Sequence, residues 1–409
     1  MTDLAVDCGQ LLDGTGTDPI TDARLLVADG RIEDVGTQES VALPDDVEHV
    51  RHPDETVIPG LIDAHLHLVG TRSMDPFDWV QTPPTQGAAR ATADLRRLLG
   101  AGFTTVRDVG SPTGIGLRNA VDEGVISGPR IFTSGKTISQ TAGHGDAHYL
   151  PHQWVREQDE RGTSSLADGP HECRKEARKR IRDGADLIKI MTTGGVLSEK
   201  DAPHQTQFTD DEISAIVEEA HRVDIPVASH AQGSEGIHIA LENGVDTIEH
   251  GFWVTEEVIE AFHRTGATFV PTLAIMHRIC EEGDEHGVPE YGLEKARNAR
   301  EAHFESIERA YEADVPIALG TDFLGPELVP HGENALEAEL LVEEIGMDES
   351  DAIRAATGTA ARTVPTDDVG TLEPDNWADL VVLDEDPLDD ISALRNIRTV
   401  YKGGDEVSL

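Results

Sequence analysis

The stretch VIPGLIDAHLHLVG, residues 57–70, decides the reading of the fold. Val57, Ile58, Leu61 and Ile62 make an apolar, strand-like run that ends in His65 and His67. Side chains two residues apart on a strand point to the same face. Two imidazoles therefore project together from the end of a buried strand, as half of a metal site would. The same pattern also occurs at ordinary polar strand ends, so the rest of the chain has to supply the other half.

Working outward from 57–65, further strand candidates lie at 104–109, 130–134, 187–191, 227–230, 247–250, 268–272 and 317–321. Amphipathic helical patterns fit between most of them. In one, 210–223, Thr209 with Glu212 three residues later forms a capping-box signature. Another helical run, 336–344, follows the last strand. Eight strand–helix units in about 300 residues predict an α/β chain folded as a (β/α)8 TIM barrel. A doubly wound sheet is disfavoured, because no Gly-rich phosphate loop follows an early strand.

The barrel is expected over 57–363, with residues 1–56 and 364–409 supplying an accessory β domain. Residues 1–56 read as short strands, with a hairpin signal at Asp29-Gly30. Near the other end, 378–383 is an apolar strand, and 399–402 runs into Gly403-Gly404. The two ends are expected to pair as a small β-sandwich. The Gly-, His-, Asp- and Ser-rich stretch 141–170 is long for a strand–helix loop. Its position after the third strand favours an active-site lid over a surface insertion.

Charge narrows the partners. Asp and Glu total 78 against 33 Lys and Arg, a formal net charge of −45. Such a field repels nucleic acid and anionic membranes. The acids are spread along the chain and only seven lysines occur, a surface suited to high salt, where counterions screen the self-repulsion. Cys8, Cys173 and Cys280 are far apart and odd in number, which points to a reducing compartment without a disulfide framework. The start of the chain has no basic and apolar leader pattern, and no apolar run approaches the length of a membrane span. A soluble, cytoplasmic protein is the expectation.

Catalytic groups of a barrel sit at the C-terminal ends of its strands. Those ends carry His65 and His67 on the first strand, Lys189 on the fourth, His230 on the fifth, His250 on the sixth and Asp322 after the eighth. Each has an ordinary reading: a structural ion pair for Lys189, satisfied core histidines, a turn-capping Asp322. A lysine in an apolar strand is nevertheless costly to bury as ammonium, and needs a carboxylate partner or a change of chemistry.

The motifs PGLIDAHLH (59–67), GADLIKIMTTGG (184–195), SHAQG (229–233), IEHG (248–251) and LGTD (319–322) resemble the amidohydrolase superfamily of metal-dependent hydrolases. The run PDNWADLVVLDEDPLDD (374–390) resembles its accessory domain. More narrowly, SQTAGHGD (139–146), MTTGGVLSEKDAP (191–203) and HGENALEAEL (331–340) resemble the branch holding Xaa-Pro dipeptidases (prolidase-like), N-acyl amino-acid carboxypeptidases and imidazolonepropionase-related proteins. The resemblance implies two divalent metal ions, commonly zinc, bridged by a lysine carboxylated with carbon dioxide. Carried over, His65 and His67 hold one metal with Asp322, His230 and His250 hold the second, and carboxylated Lys189 bridges them. It also implies a homo-oligomer acting on a small molecule.

On that reading a hydroxide bridging the metals attacks an amide carbonyl, and Asp322 moves the proton to the leaving nitrogen. His144 is a candidate to donate a hydrogen bond to the oxyanion or to gate the pocket. Thr193, Gly194 and Gly195, just past Lys189, are places where backbone could approach substrate. Gln232, two residues after His230, stands where dipeptidase relatives often carry a substrate-contacting Tyr. An internal ion pair is expected of Arg107 and Asp108, and lid or supporting roles of His331 and Asn334. The expected activity is hydrolysis of a C–N bond in a small amino-acid derivative, such as an Xaa-Pro-like dipeptide or N-acyl amino acid. Ring opening of a cyclic amide and a non-catalytic scaffold are the alternatives. No nucleophile elbow, P-loop or dinucleotide fingerprint stands in a suitable place.

Overall fold

A computed structural model of the chain describes residues 2–157 and 162–408. It is an α/β structure with three sheets. Both ends of the chain meet in one seven-stranded sheet. There Leu4–Leu11 lies between Ile20–Ala28 and Glu48–Pro59, and Leu380–Leu383 continues the sheet from Glu48–Pro59. The strands expected to form a sandwich are thus hydrogen-bonded edge to edge in a single sheet, with its own apolar cluster of Leu4, Val6, Leu25, Leu380, Val382 and Tyr401. The hairpin at Asp29-Gly30 is present: Ala28 faces Arg31, and both turn residues take positive φ, 50° and 76°. That is the turn geometry that matches strand twist.

The strand expected over 57–65 is two strands. Glu48–Pro59 belongs to the terminal sheet and Leu61–Leu66 to the first of two parallel sheets. The hand-over falls at Gly60, whose N–H donates to the Asp379 carbonyl at 2.8 Å. A Cβ there would lie 1.9 Å from Thr104 Oγ1. The residue must be glycine because the backbone runs against the neighbouring strand.

Leu61–Leu66, Phe103–Asp108 and Arg130–Thr133 pair in parallel as a three-stranded sheet. Ile188–Met191, Val227–Ala231, Thr247–His250 and Thr268–Val270 pair in parallel in a six-stranded one. Its other two strands went unread in the sequence: Thr137–Ser139 lies beside Ile188–Met191, and Ser164–Leu166 lies beyond it at the edge. The second closes back part of the 141–170 stretch, of which residues 158–161 lie outside the described residues. Pro271 has no N–H, and Thr272 turns to φ 56°, so the strand expected over 268–272 stops at Val270.

Backbone hydrogen bonds link the two parallel sheets at both edges. Asp186 N–H donates to the Thr133 carbonyl at 2.8 Å. On the far side Ala318 N–H donates to Phe269, and Ala64 N–H to Leu319, at 2.9 and 2.8 Å. The segment expected as a strand at 317–321 makes one isolated bridge, Phe269 with Ile317, and a second, Leu66 with Phe323, falls just past it. Helices follow the strands in turn, from Pro84–Gly100 after the first to Leu336–Glu343 after the last. The helix read as 210–223 is Asp210–His221, and the Glu212 carboxylate accepts the Thr209 N–H at 2.7 Å. All three cysteines are free. Among the described residues no helix is long and apolar enough to cross a membrane.

Gly60→Ala is expected to destabilise the protein by roughly 1–3 kcal/mol, the usual cost of overpacking a tight site. A denaturant midpoint equal to that of the parent would show that the two sheets are not so closely joined here.

Candidate metal centre and its cavity

The parallel strands bring five candidate ligands to one place. The ring centroids of His65 and His250 are 4.9 Å apart, those of His230 and His250 4.6 Å, and those of His65 and His67 5.5 Å. Asp322 Oδ1 lies 3.1 Å from His67 Nε2 and 3.4 Å from His65 Nε2. Ligand atoms of His65, His250 and Asp322 all fall within 4.8 Å of one another. Lys189, 2% exposed, lines the same cavity, and its Nζ has no hydrogen-bond partner.

Each histidine is held by one nitrogen. His65 Nδ1 donates to Glu249 at 2.6 Å, and His67 Nδ1 to the Gly110 carbonyl at 3.1 Å. His230 Nε2 donates to the Gly194 carbonyl at 3.0 Å, and His250 Nδ1 pairs with Thr272 Oγ1 at 2.8 Å. The other nitrogen of each ring is left for the cavity. Metal-binding histidines are oriented in this way, with tautomer and direction fixed by an acceptor on the far side of the ring. His250, Thr272 and Asp322 all adopt positive φ, 76°, 56° and 58°. Such backbone costs roughly 1–3 kcal/mol each and is typically kept where function requires it.

Glu249 is the site residue that the sequence reading missed. It is fully buried between His65 and Arg107, whose Nη2 donates to it at 2.8 Å. Burial opposes its charge, but Arg107, Lys189 and His65 together hold its carboxyl well below the usual range. Arg107 therefore pairs with Glu249 and not with Asp108. Asp108 instead accepts the hydroxyls of Ser111 and Thr133 at 2.5 and 2.7 Å. Only the IEHG context marked Glu249, one acid among 78.

Burial pushes the Lys189 ammonium down to about 8, against the pull of Glu249. Burial likewise keeps His230 and His250 neutral, well below the ordinary imidazole value. Asp322 goes the other way: His65 and His67 overcome its burial and hold it as carboxylate.

The cavity above these groups has a volume of about 230 Å³. His144 and Gln232 line it, and Gln232 Oε1 is buried without a partner. Gly194, expected beside the substrate, is not among the lining residues. Its carbonyl orients His230, and a Cβ on it would strike the Ala202 carbonyl at 2.4 Å. Gly145, Asp146, Ala147, His148 and Tyr149, from the expected lid, also line the cavity. One wall is apolar, with Val69, Met74, Trp79, Ile275, Met276 and Ile279. His331 Nε2 donates to the His67 carbonyl at 3.1 Å, and Asn334 Nδ2 to Asp63 at 2.6 Å, so both brace the first strand from behind.

The four histidines, Asp322 and the buried Lys189 thus line one cavity. The amidohydrolase family model matches residues 56–407. The chain belongs to the amidohydrolase family. Ochratoxinase of Aspergillus niger is 33% identical over 97% of this chain and 85% of its own length. Its crystal structure superposes with a TM-score of 0.90, covering 98% of this chain and 95% of that one. A prolidase crystallised with N-methylphosphonate-L-proline is 33% identical, with a TM-score of 0.91 and 99% of both chains covered. Imidazolonepropionase of Salinispora tropica is 26% identical over 94% of this chain and 93% of its own. The chain is a hydrolase acting on carbon–nitrogen bonds.

Glu337 adds a pH-dependent element. It is fully buried and accepts the N–H groups of Leu273 and Ala274 at 2.9 and 2.6 Å, at the start of the helix Leu273–Glu282 that gives Ile275, Met276 and Ile279 to the apolar wall. Burial outweighs these two donors and raises its carboxyl from 4.5 to about 8. Between those values the folded protein binds more protons than the unfolded chain, so this group makes stability fall as pH rises from 4.5 to 8. Glu337→Gln is expected to flatten that part of a plot of Tm against pH. An unaltered slope would show that Glu337 is ionised throughout.

Proposed function

We propose that the chain is a closed (β/α)8 barrel whose strand ends hold two divalent metal ions, zinc by preference, and that it hydrolyses the amide bond of a small N-acyl amino acid or dipeptide with a bulky apolar group. The observation that carries this reading is Lys189, a buried amine without a hydrogen-bond partner that lines the same cavity as the four histidines and Asp322. Its neutral form, favoured by burial, adds to carbon dioxide with loss of a proton. The product is an anionic oxygen ligand, which removes the cost of a buried cation. His65, His67 and Asp322 would hold one ion, His230 and His250 the other, with carboxylated Lys189 between them. Imidazole and carboxylate ligands suit zinc.

Bound metal ions supply Lewis acidity and a water acidic enough to lose its proton near neutral pH. The remaining work falls to the chain. Asp322, held ionised by His65 and His67, takes a proton from the attacking water and returns it to the leaving nitrogen. Gln232 Oε1 offers a buried acceptor to a substrate N–H, a donor that an Xaa-Pro bond lacks. The apolar wall takes the bulky group and excludes water. This combination favours N-acyl amino acids over Xaa-Pro dipeptides. A halophilic, cytoplasmic protein fits the charge and cysteine pattern, and a homo-oligomer is what the family resemblance implies.

The test is a panel of N-acyl amino acids, Xaa-Pro dipeptides and cyclic amides, assayed in molar salt with added zinc. Turnover is expected for N-acyl amino acids with large apolar acyl groups. Preferred opening of cyclic amides would move the reading toward the imidazolonepropionase relative. Lys189→Ala is expected to lose both metal and activity. Full metal content with full turnover in that variant would overturn the bridging lysine.

A further inference from the structure

The loop that follows Ile188–Met191 carries a buried carboxylate that the site described so far leaves without a role. Asp201 is 7% exposed, although Glu199 and Lys200 immediately before it are exposed. Its Oδ1 accepts the Ser198 hydroxyl and, at 3.3 Å, the Gly195 N–H. Its Oδ2 accepts Gln207 Nε2 at 2.9 Å.

Both arms of this carboxylate reach His144. Gln207 Oε1 accepts the His144 backbone N–H at 2.9 Å. Ser198 Oγ lies 2.9 Å from His144 Nδ1. The ring itself is sandwiched. One face stacks on His230 at 4.1 Å with a 17° interplanar angle. The other side lies against Gly195, where a Cβ would come within 2.2 Å of the ring. Lys295, from the helix Glu290–Glu312, binds the carbonyls of Gly195, Ser198 and Asp201 at 3.1, 2.5 and 2.6 Å. The loop is therefore pinned from outside as well as by its own carboxylate.

We propose that Asp201 is a positioning residue for His144, acting through Ser198 to keep the proton on His144 Nδ1 and turn Nε2 toward the substrate. A serine hydroxyl has one proton. Ser198 gives it to Asp201, so its oxygen can only accept from Nδ1–H. A neutral ring held this way offers a lone pair at Nε2, not a proton. The oxyanion-donor role expected from the sequence needs the opposite tautomer. His144 instead receives a donor, such as the N–H of a secondary amide, beside Gln232. The role of Nε2 toward substrate rests on the cavity being the catalytic one, as proposed above, whereas the position of the proton does not.

The experiment is nitrogen NMR of the zinc-loaded, ¹⁵N-histidine-labelled protein at pH 8, with His144 assigned by its loss in His144→Ala. The expected result is a protonated Nδ1 in the parent. In Asp201→Asn the carboxylate that draws the Ser198 proton becomes a neutral amide, the hydroxyl is shared between that amide, the Gly195 carbonyl and the ring, and the fraction of rings protonated at Nδ1 falls. Ser198→Ala, which keeps the carboxylate and the Lys295 clamp, also releases Nδ1, and serves if Asp201→Asn does not fold. An unprotonated Nδ1 in the parent, or the same state of Nδ1 in parent and variant, overturns the proposal. With a substrate from the panel, both variants are expected to lower kcat by about tenfold while KM moves little. If no panel member is hydrolysed, the functional reading fails and the NMR result still decides this one.

Discussion

A lysine ammonium in the middle of an apolar strand, with no partner on its nitrogen, is the constraint on which the site depends. Left as a cation it costs several kcal/mol. Glu249 is the nearby counter-charge, but its hydrogen bonds go to Arg107, Thr247 and His65. The carboxylate therefore offsets Lys189 only at a distance, and a share of the burial cost stays with the amine. That residual cost loosens the amine's hold on its proton and brings the ammonium down to about 8. It also explains why Arg107, a fully buried guanidinium, is needed: without it Glu249 would face His65 and Lys189 as a carboxylate with too few donors.

Around this core each ring is fixed twice, by its strand and by an acceptor behind it. The acceptors come from scattered places: a side chain on a neighbouring strand for His65, loop carbonyls for His67 and His230, a positive-φ threonine for His250. A site built this way resists movement of any single ligand. Its histidines reach the cavity already oriented, so little ordering is left for a bound ion to impose.

Much of this was legible in the chain itself. Period-two spacing put His65 and His67 on one face, and the strand ends collected Lys189, His230, His250 and Asp322. What escaped had a physical reason. Glu249 is next to His250 in an acid-rich sequence, and nothing local shows that it turns inward to a histidine 184 residues away. Arg107 beside Asp108 suggests a neighbour pair, yet adjacent strand residues point to opposite faces, so each found a different partner. The break at Gly60 is set by Thr104 on another strand, and no property of residues 57–65 reports it. Gly194 and Asp201 lie in a loop whose shape follows from Lys295, nearly a hundred residues later.

The continuity of Glu48–Pro59 with Leu61–Leu66 has a consequence for the order of events during synthesis. All the candidate ligands lie at or before residue 322. The strand that leads into His65 and His67, however, is completed on its far edge only by Leu380–Leu383, and Gly60 is tied to the Asp379 carbonyl. A ribosome must therefore release nearly the whole chain before the far edge of that strand is filled. Until then that strand has Leu4–Leu11 and, past Gly60, Phe103–Asp108 beside it, and lacks only its last neighbour.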